Sequence, residues 1–187
     1  MRQSIPILLL AVAGIVGCGV GSVAPVVTDN DIVDDSRLVG TWKGDKESAV
    51  FTSTGRGTFD LLYTDEAGKI GQFHARLGQL GSHRVVDIQP REASPETSDI
   101  YKNLSLRAHG LLVLDSLTDA VQFRLLEPDS IKALLKRNPQ AVAHTLVEEG
   151  VLVTASSSET RRFFSDVVQR KGFLSEATLW RRDSRAR

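Results

Sequence analysis

Apolar and polar residues alternate along much of the chain after residue 37. In the segment Thr58–Thr64, Phe59 and Leu61 fall on one face and Asp60 on the other. A period of two is typical of a strand with one buried face. Related patterns predict further strands at 38–43, 47–53, 73–77, 84–89, 104–114, 121–125, 147–154 and 177–182. About eight or nine short antiparallel strands in one domain predict a mainly β fold, a barrel or a sandwich.

Two segments carry apolar residues at helical spacing instead. Pro128 suits a first helical turn, and Asn138 precedes a proline that ends the helix. Ser156 and Glu159 form a possible capping box for the second helix, with Gly172 placed to end it. The apolar stripes are Ile131, Leu134 and Leu135 in the first helix and Phe163, Phe164, Val167 and Val168 in the second. Each stripe has the width of a helix laid on a sheet.

The N-terminus carries one positive charge, Arg2, followed by an apolar run over residues 5–16. A run of this length after a charged start is typical of a secretory signal peptide. The run ends in Ile15, Val16, Gly17 and Cys18, which resembles the lipobox of bacterial lipoprotein precursors. The resemblance implies that residues 1–17 are a cleaved signal peptide and that Cys18 becomes a lipid-bearing N-terminus attached to a membrane. The alternative is an ordinary buried apolar helix in which the cysteine is incidental.

The segment 18–36 is rich in small and acidic residues and contains a proline, Pro25. This composition predicts a flexible tether ahead of a single domain at 37–187. In lipoproteins of enteric-type envelopes, an aspartate after the modified cysteine usually retains the protein in the inner membrane. Here that position is Gly19, so the resemblance implies the cell envelope, and the outer membrane if the organism is Gram-negative.

The first predicted barrel strand contains Gly40 and Trp42. This Gly-x-Trp pattern resembles the opening strand of lipocalin and related calycin barrels. The resemblance implies a lipocalin-like antiparallel barrel in which Trp42 closes one end beneath a basic residue of the last strand, Arg182 or, in another register, Arg181. Two helices between late strands depart from the usual lipocalin, which has one helix after the barrel. In the alternative reading, Trp42 and Trp180 are simply large core residues.

Composition narrows the chemistry. The 187 residues are 41% hydrophobic and carry 23 basic and 23 acidic side chains, so no basic surplus indicates a nucleic-acid partner. The single cysteine excludes an intramolecular disulfide and a cysteine-built zinc site. The four histidines show no metal-binding spacing, and no Gly-x-Ser-x-Gly elbow or Walker loop occurs. We therefore predict no catalytic residue, metal or cofactor.

Two functional hypotheses remain, with an enzyme in third place. In the first, a membrane-anchored barrel binds a small apolar or amphipathic ligand in an interior lined by Phe59, Tyr63, Phe73 and Phe123. In the second, a structural or interaction lipoprotein with a solid core docks on another envelope protein. An eight-stranded barrel leaves room for side chains or for one ligand. The two hypotheses therefore differ in what fills the interior.

Overall fold

The computed structural model describes residues 19–91, 106–147, 150–170 and 172–183. The strands are β1 (Val20–Ser22), β2 (Gly40–Lys43), β3 (Ser48–Gly55), β4 (Thr58–Thr64), β5 (Ile70–Leu80), β6 (His83–Pro90), β7 (His109–Leu117), β8 (Ala120–Leu125), β9 (His144–Val147), β10 (Gly150–Val153) and β11 (Thr178–Arg182). The helices are α1 (Pro128–Arg137) and α2 (Ser157–Val167), with short 3-10 turns at Asp29–Asp31 and Ser36–Leu38. The lipobox residues Ile15, Val16, Gly17 and Cys18 lie outside the described residues.

Eight strands form a closed antiparallel barrel. Strands β2 to β8 follow one another in chain order, β11 pairs with β8, and β11 also pairs with β2 to close the ring. The alternation of apolar and polar residues explains this arrangement, because each strand turns one face inward and the other outward. The predicted mainly β fold with two helices is confirmed.

Large apolar side chains occupy the interior of the barrel. Trp42 is fully buried, and the other aromatic members are at most 7% exposed: Phe51, Phe59, Phe73, Phe123 and Trp180. The rings of Phe51 and Phe59 meet edge to face with centroids 6.2 Å apart, and those of Phe123 and Trp180 lie 4.6 Å apart. These offset contacts are the arrangements that aromatic pairs prefer in packed cores.

The remaining elements cover one outer face of the barrel. Strand β1 pairs antiparallel with β7 and parallel with β10, and β10 pairs with β9. The helices, β9 and β10 are inserted between β8 and β11. Their apolar stripes form a second core against the outward side chains of β6 and β7, including Val85, Val113, Ile131, Leu135, Phe164 and Val167. The single strand predicted at 147–154 is wrong, because two short strands flank residues 148–149, which lie outside the described residues.

The tether predicted for residues 18–36 is also wrong over its described part. Val26 and Val27 are each 1% exposed, and the backbone N–H of Val33 donates to the Leu77 carbonyl at 3.0 Å. Burying each valine side chain contributes roughly 1.5–3 kcal/mol. We call residues 20–38 the N-terminal strap. The acidic composition suggested solvation, but the buried carboxylates pair with basic side chains of the barrel and of α2.

One end of the barrel has the closure that the Gly-x-Trp pattern implied. The guanidinium carbon of Arg182 lies 4.3 Å from the Trp42 ring centroid, and Arg182 donates to the carbonyls of Val39, at 2.7 Å, and Arg37. A Cβ on Gly40, whose φ is +128°, would lie 2.6 Å from Nη1 of Arg182. Gly40 therefore leaves the space that the guanidinium fills. The residue stacked on Trp42 is Arg182 and not Arg181.

Candidate functional site

The four residues predicted to line a ligand cavity belong to, or pack against, the apolar cluster of the barrel interior. Phe59, Phe73 and Phe123 are 3%, 7% and 3% exposed and belong to the packed core. Tyr63 is half-buried at the edge of this core and stacks on Trp180 at a centroid distance of 6.2 Å. All four predicted residues are thus part of one packed cluster.

The hydroxyl of Tyr63 has a defined polar partner. It donates a hydrogen bond to a carboxylate oxygen of Glu47, whose other oxygen accepts from the indole of Trp180 at 3.3 Å. Burial raises the pKa of Tyr63, and the hydrogen bond and negative charge of Glu47 raise it further. Tyr63 therefore remains a neutral hydrogen-bond donor that anchors the rim of the barrel.

Two clefts open on the outside of the barrel. The larger, of about 720 Å³, lies between α2 and the loop that follows α1, and its lining includes Pro139, Arg162 and Phe163. Within it, Arg170 pairs with Asp166 one helical turn away. The smaller, of about 260 Å³, lies on the outer face of β5, β6 and β7; we call it the sheet cleft. It is lined by Pro25, His74, Arg76, Asp87, Gln89 and His109.

Strand register places the polar side chains of the sheet cleft side by side. His74 pairs with Gln89 and Arg76 with Asp87 across β5 and β6. His109 begins the next strand, β7. These side chains point away from the barrel core, and Pro25 of the N-terminal strap closes one side. Three neighbouring strands and the strap thus build one small polar depression.

A buried carboxylate lies at the base of the sheet cleft. Asp87 is 2% exposed, and one of its oxygens accepts from the backbone N–H groups of Val26 and Val27 at 2.8 and 3.0 Å. The other oxygen lies 2.7 Å from Nδ1 of His109. With a carboxylate as acceptor, Nδ1 carries the proton, which leaves Nε2 as the second polar atom of the ring. Asp87 therefore both attaches the strap and orients His109.

The other basic groups of the sheet cleft are more exposed. Nη1 of Arg76 lies 3.3 Å from Asp29, whose side chain is 89% exposed. Nδ1 of His74 lies 3.3 Å from Asp60, which Arg91 also contacts at 3.3 Å. Long, solvent-exposed ion pairs of this kind contribute little to stability. Arg76 and His74 are therefore available to a ligand at small cost.

Two further aspartates hold the strap that forms one side of this cleft. Asp31 accepts from Nε of Arg161 in α2 at 2.8 Å and from the Thr28 hydroxyl at 2.6 Å. Burial by itself would raise the pKa of Asp31, but these hydrogen bonds outweigh burial and lower it. Three aspartates, two in the strap and Asp87 in the barrel, thus fix the strap at separate points.

Asp35 is the most strongly held of the strap carboxylates. It accepts from Nε of Arg37 at 2.9 Å and from Nη1 of Arg84 in β6 at 2.5 Å. The hydrogen bond from Arg37 holds the pKa of Asp35 well below its usual range, and Arg84 lowers it further against the opposing effect of burial. The charge that the sequence placed in a tether is therefore part of the folded domain.

Sequence reasoning missed Asp87 and His109 as a pair. Both fall on predicted strands at positions facing away from the barrel core, where a polar residue normally faces solvent. The burial of Asp87 arises from the strap crossing the sheet, and an acidic, proline-containing segment does not indicate such a crossing. The alternation pattern alone placed both residues on the outer face.

The described part of the chain contains no cluster of three or more histidine, cysteine or acidic side chains arranged to hold a metal ion. In the described ranges, no helix is both long and apolar enough to cross a membrane. Comparison with models of protein families, with curated proteins and with solved structures gave no match. The closed eight-stranded antiparallel barrel is consistent with a lipocalin-like fold.

Proposed function

We propose that the protein is a lipid-anchored module of the cell envelope that binds its partner through the outer surface of a filled barrel. The observation that carries the proposal is the packing of the barrel interior by Trp42, Phe59 and Phe123, while both clefts lie outside it. This geometry favours the interaction lipoprotein with a solid core over a carrier of an apolar ligand.

The lipid anchor is supported by the lipobox-like sequence that ends at Cys18 and by its place in the chain. The carbonyl of Gly19, the next residue, accepts from the backbone N–H of Val151 at 3.0 Å, and β1 starts at Val20. A lipid on Cys18 would then join the folded domain almost directly. Each methylene of an acyl chain that enters the bilayer contributes about 0.8 kcal/mol to membrane binding, so two or more chains attach a protein stably.

Binding of an apolar ligand inside the barrel has less support. A ligand would have to displace aromatic rings that already contact one another, such as Phe123 and Trp180 at 4.6 Å. At the end near Trp42, Arg182 stacks on the indole and is hydrogen-bonded to two carbonyls. Side chains in a close-packed interior leave few spaces larger than a water molecule.

Truncation of a core aromatic residue tests whether the interior is filled. In a packed core, Phe59→Ala removes buried contacts and leaves a cavity, so we expect the free energy of unfolding to fall by about 3–5 kcal/mol. Leu62→Ala on the outer face of the same strand, where Leu62 is 39% exposed, is the matched control and should cost less than about 1 kcal/mol. Equal small losses in urea melts would instead indicate an open lumen.

Replacement of the cysteine tests the anchor. We expect the wild-type protein to incorporate labelled palmitate, to lose residues 1–17 and to sediment with membranes. Cys18→Ser should abolish labelling, whereas Ser4→Ala, outside the lipobox, should leave it unchanged. Palmitate labelling that survives in Cys18→Ser, or a wild-type protein without lipid, would contradict the anchor.

A further inference from the structure

We propose that the sheet cleft is a binding site for a small oxyanion, a phosphate or carboxylate group held by Arg76, His74 and His109. The proposal deepens the proposed function and rests on it only in placing recognition on the outside of the barrel. It starts from a juxtaposition of side chains: three basic residues on neighbouring strands line one depression.

The size of the sheet cleft limits the ligand. Its volume of about 260 Å³ lies at or below the lower end of the range for pockets that take drug-sized molecules, about 300–1,000 Å³. Pro25 provides an apolar wall, while the other five lining residues are polar. A compact ion with a few heavy atoms fits such a space better than an acyl chain.

Arg76 provides the main positive charge. A guanidinium carries five N–H donors, and Nη1 of Arg76 makes only a long contact, at 3.3 Å, with Asp29. Because the Asp29 side chain is 89% exposed, it can turn into solvent when another oxyanion takes its place. Arginine can then bind two oxygens of a phosphate or carboxylate in parallel.

His109 provides an oriented donor at the inner end of the cleft. Its side chain is 10% exposed, and its Nδ1 is held by Asp87. Nε2 is therefore the ring atom left for a ligand, and in the protonated ring it donates to an oxyanion. Asp87 lies behind the ring, with both oxygens already accepting hydrogen bonds. The Asp87 carboxylate is thus occupied by the strap and by the His109 ring and does not face the ligand.

His74 completes the set from β5. It pairs with Gln89 in the register between β5 and β6, and its Nδ1 faces Asp60 at 3.3 Å. The contact with Asp60 favours an orientation in which Nε2 is the free ring atom. Asp60 also contacts Arg91, which balances its charge. Two imidazoles and one guanidinium therefore face a space in which the only lining carboxylate, Asp87, is internally paired.

Arg76 and Arg91 offer a matched pair for the test. Each side chain is 43% exposed, and each lies 3.3 Å from an aspartate, but only Arg76 lines the sheet cleft. Titration of the mature protein in nonionic detergent with inorganic phosphate, and separately with succinate, is followed by the ¹H–¹⁵N signals of the histidine rings at constant ionic strength. We expect at least one probe to give saturable shifts of His109 and His74 with one common dissociation constant.

We expect Arg76→Gln to weaken this binding by roughly tenfold, the effect of losing one charge-assisted contact, and Arg91→Gln to change it less than twofold. His74→Gln, at an exposed position, should weaken binding in the same direction as Arg76→Gln. No saturation with either probe up to about 10 mM, or equal losses in Arg76→Gln and Arg91→Gln, would overturn the site. These outcomes leave palmitate labelling and the Phe59→Ala result unchanged, so failure of this site is distinguishable from failure of the proposed function.

Discussion

Nη1 of Arg84 lies 2.5 Å from a carboxylate oxygen of Asp35, a residue 49 positions earlier in the chain. This contact joins the N-terminal strap to β6 of the barrel. Because the Asp35 side chain is only 8% exposed, its ion pairs are shielded from solvent better than surface pairs are. The strap is thus a structural part of the domain, and its attachment leads to the first prediction.

Replacing Asp35 by Asn should destabilise the domain at neutral pH by about 1–3 kcal/mol, because hydrogen bonds from two arginines to a charged acceptor are weakened. The variant Asp34→Asn, on the neighbouring carboxylate, is the control and should change stability by less than about 0.5 kcal/mol. Urea unfolding at pH 7 measures both. Equal stability of Asp35→Asn and wild type would show that the strap does not depend on this pair.

The same carboxylate predicts a dependence on pH. The folded pKa of Asp35 lies below its ordinary value of 3.8, so the folded state stabilises the charged form. This stabilisation is complete above the ordinary pKa and is lost as the pH falls through the lower folded pKa. We expect the stability difference between wild type and Asp35→Asn to shrink as the pH falls below about 4. A difference that grows in acid would contradict this sign.

The closure of the barrel end predicts that two adjacent arginines contribute unequally to stability. Arg182→Ala removes the contact with Trp42 and two hydrogen bonds to carbonyls, so we expect a loss of about 1–3 kcal/mol in the free energy of unfolding. Arg181→Ala, at an exposed position of the same strand, should cost less than about 0.5 kcal/mol. Thermal and urea unfolding of the two variants measure these losses, and equal losses would refute the specific role of Arg182.

Gly40 predicts a coupling with Arg182. A Cβ at Gly40 would lie 2.6 Å from Nη1 of Arg182, whereas one at Gly68, which also has a positive φ, meets nothing within 4 Å. Gly40→Ala should therefore cost more than Gly68→Ala, and part of the excess should disappear when Arg182 is also replaced by Ala. A double-mutant cycle measures this coupling, expected at about 0.5–3 kcal/mol. Strict additivity would show that the guanidinium does not occupy the space Gly40 leaves.

The place of Gly19 predicts how an anchored domain sits on a bilayer. Strands β1, β10 and β9 lie side by side, so Val147, paired with Gly150, is about 10 Å from Gly19 across two strand spacings. Ala75 is level with Gly21 through the pairs with Ile88 and Gly110, and Ile70 lies five residues beyond Ala75, roughly 20 Å further from Gly19 along the strand direction. With Cys18 lipidated, a cysteine introduced at either position is the only thiol. A fluorophore at residue 147 should be quenched more strongly by nitroxide lipids than one at residue 70; the reverse order would contradict this orientation.

The barrel strands and both helices were predictable because one-sided burial imposes a periodic pattern on the sequence. Phe59 and Leu61 alternate with Thr58 and Asp60 in β4, and Ile131 and Leu135 form a helical stripe in α1. The stacking of Arg182 on Trp42 followed from the resemblance to calycin barrels. Each of these features depends on residues close together in the chain or, for Trp42 and Arg182, on the first and last strands of the barrel.

The strap and the sheet cleft were not predictable for a physical reason. Val26 and Val27 are adjacent apolar residues in a polar, proline-containing segment, and no periodic pattern predicts their burial. The contacts that bury them run to Asp87, some 60 residues later. Asp31 and Asp35 look like solvated acids until their partners, Arg161 and Arg84, are placed beside them. Contacts between distant polar residues leave no local pattern.

The claim that binding takes place outside a filled barrel is tested most directly by native mass spectrometry of the mature protein purified from its own membrane in nonionic detergent. We predict one mass, that of residues 18–187 with the lipid on Cys18, and no apolar molecule retained in a one-to-one ratio after the detergent is removed. A stoichiometric apolar ligand that is retained by the wild type and lost in a variant of the interior, such as Phe123→Ala, would contradict the account and return the binding site to the barrel interior.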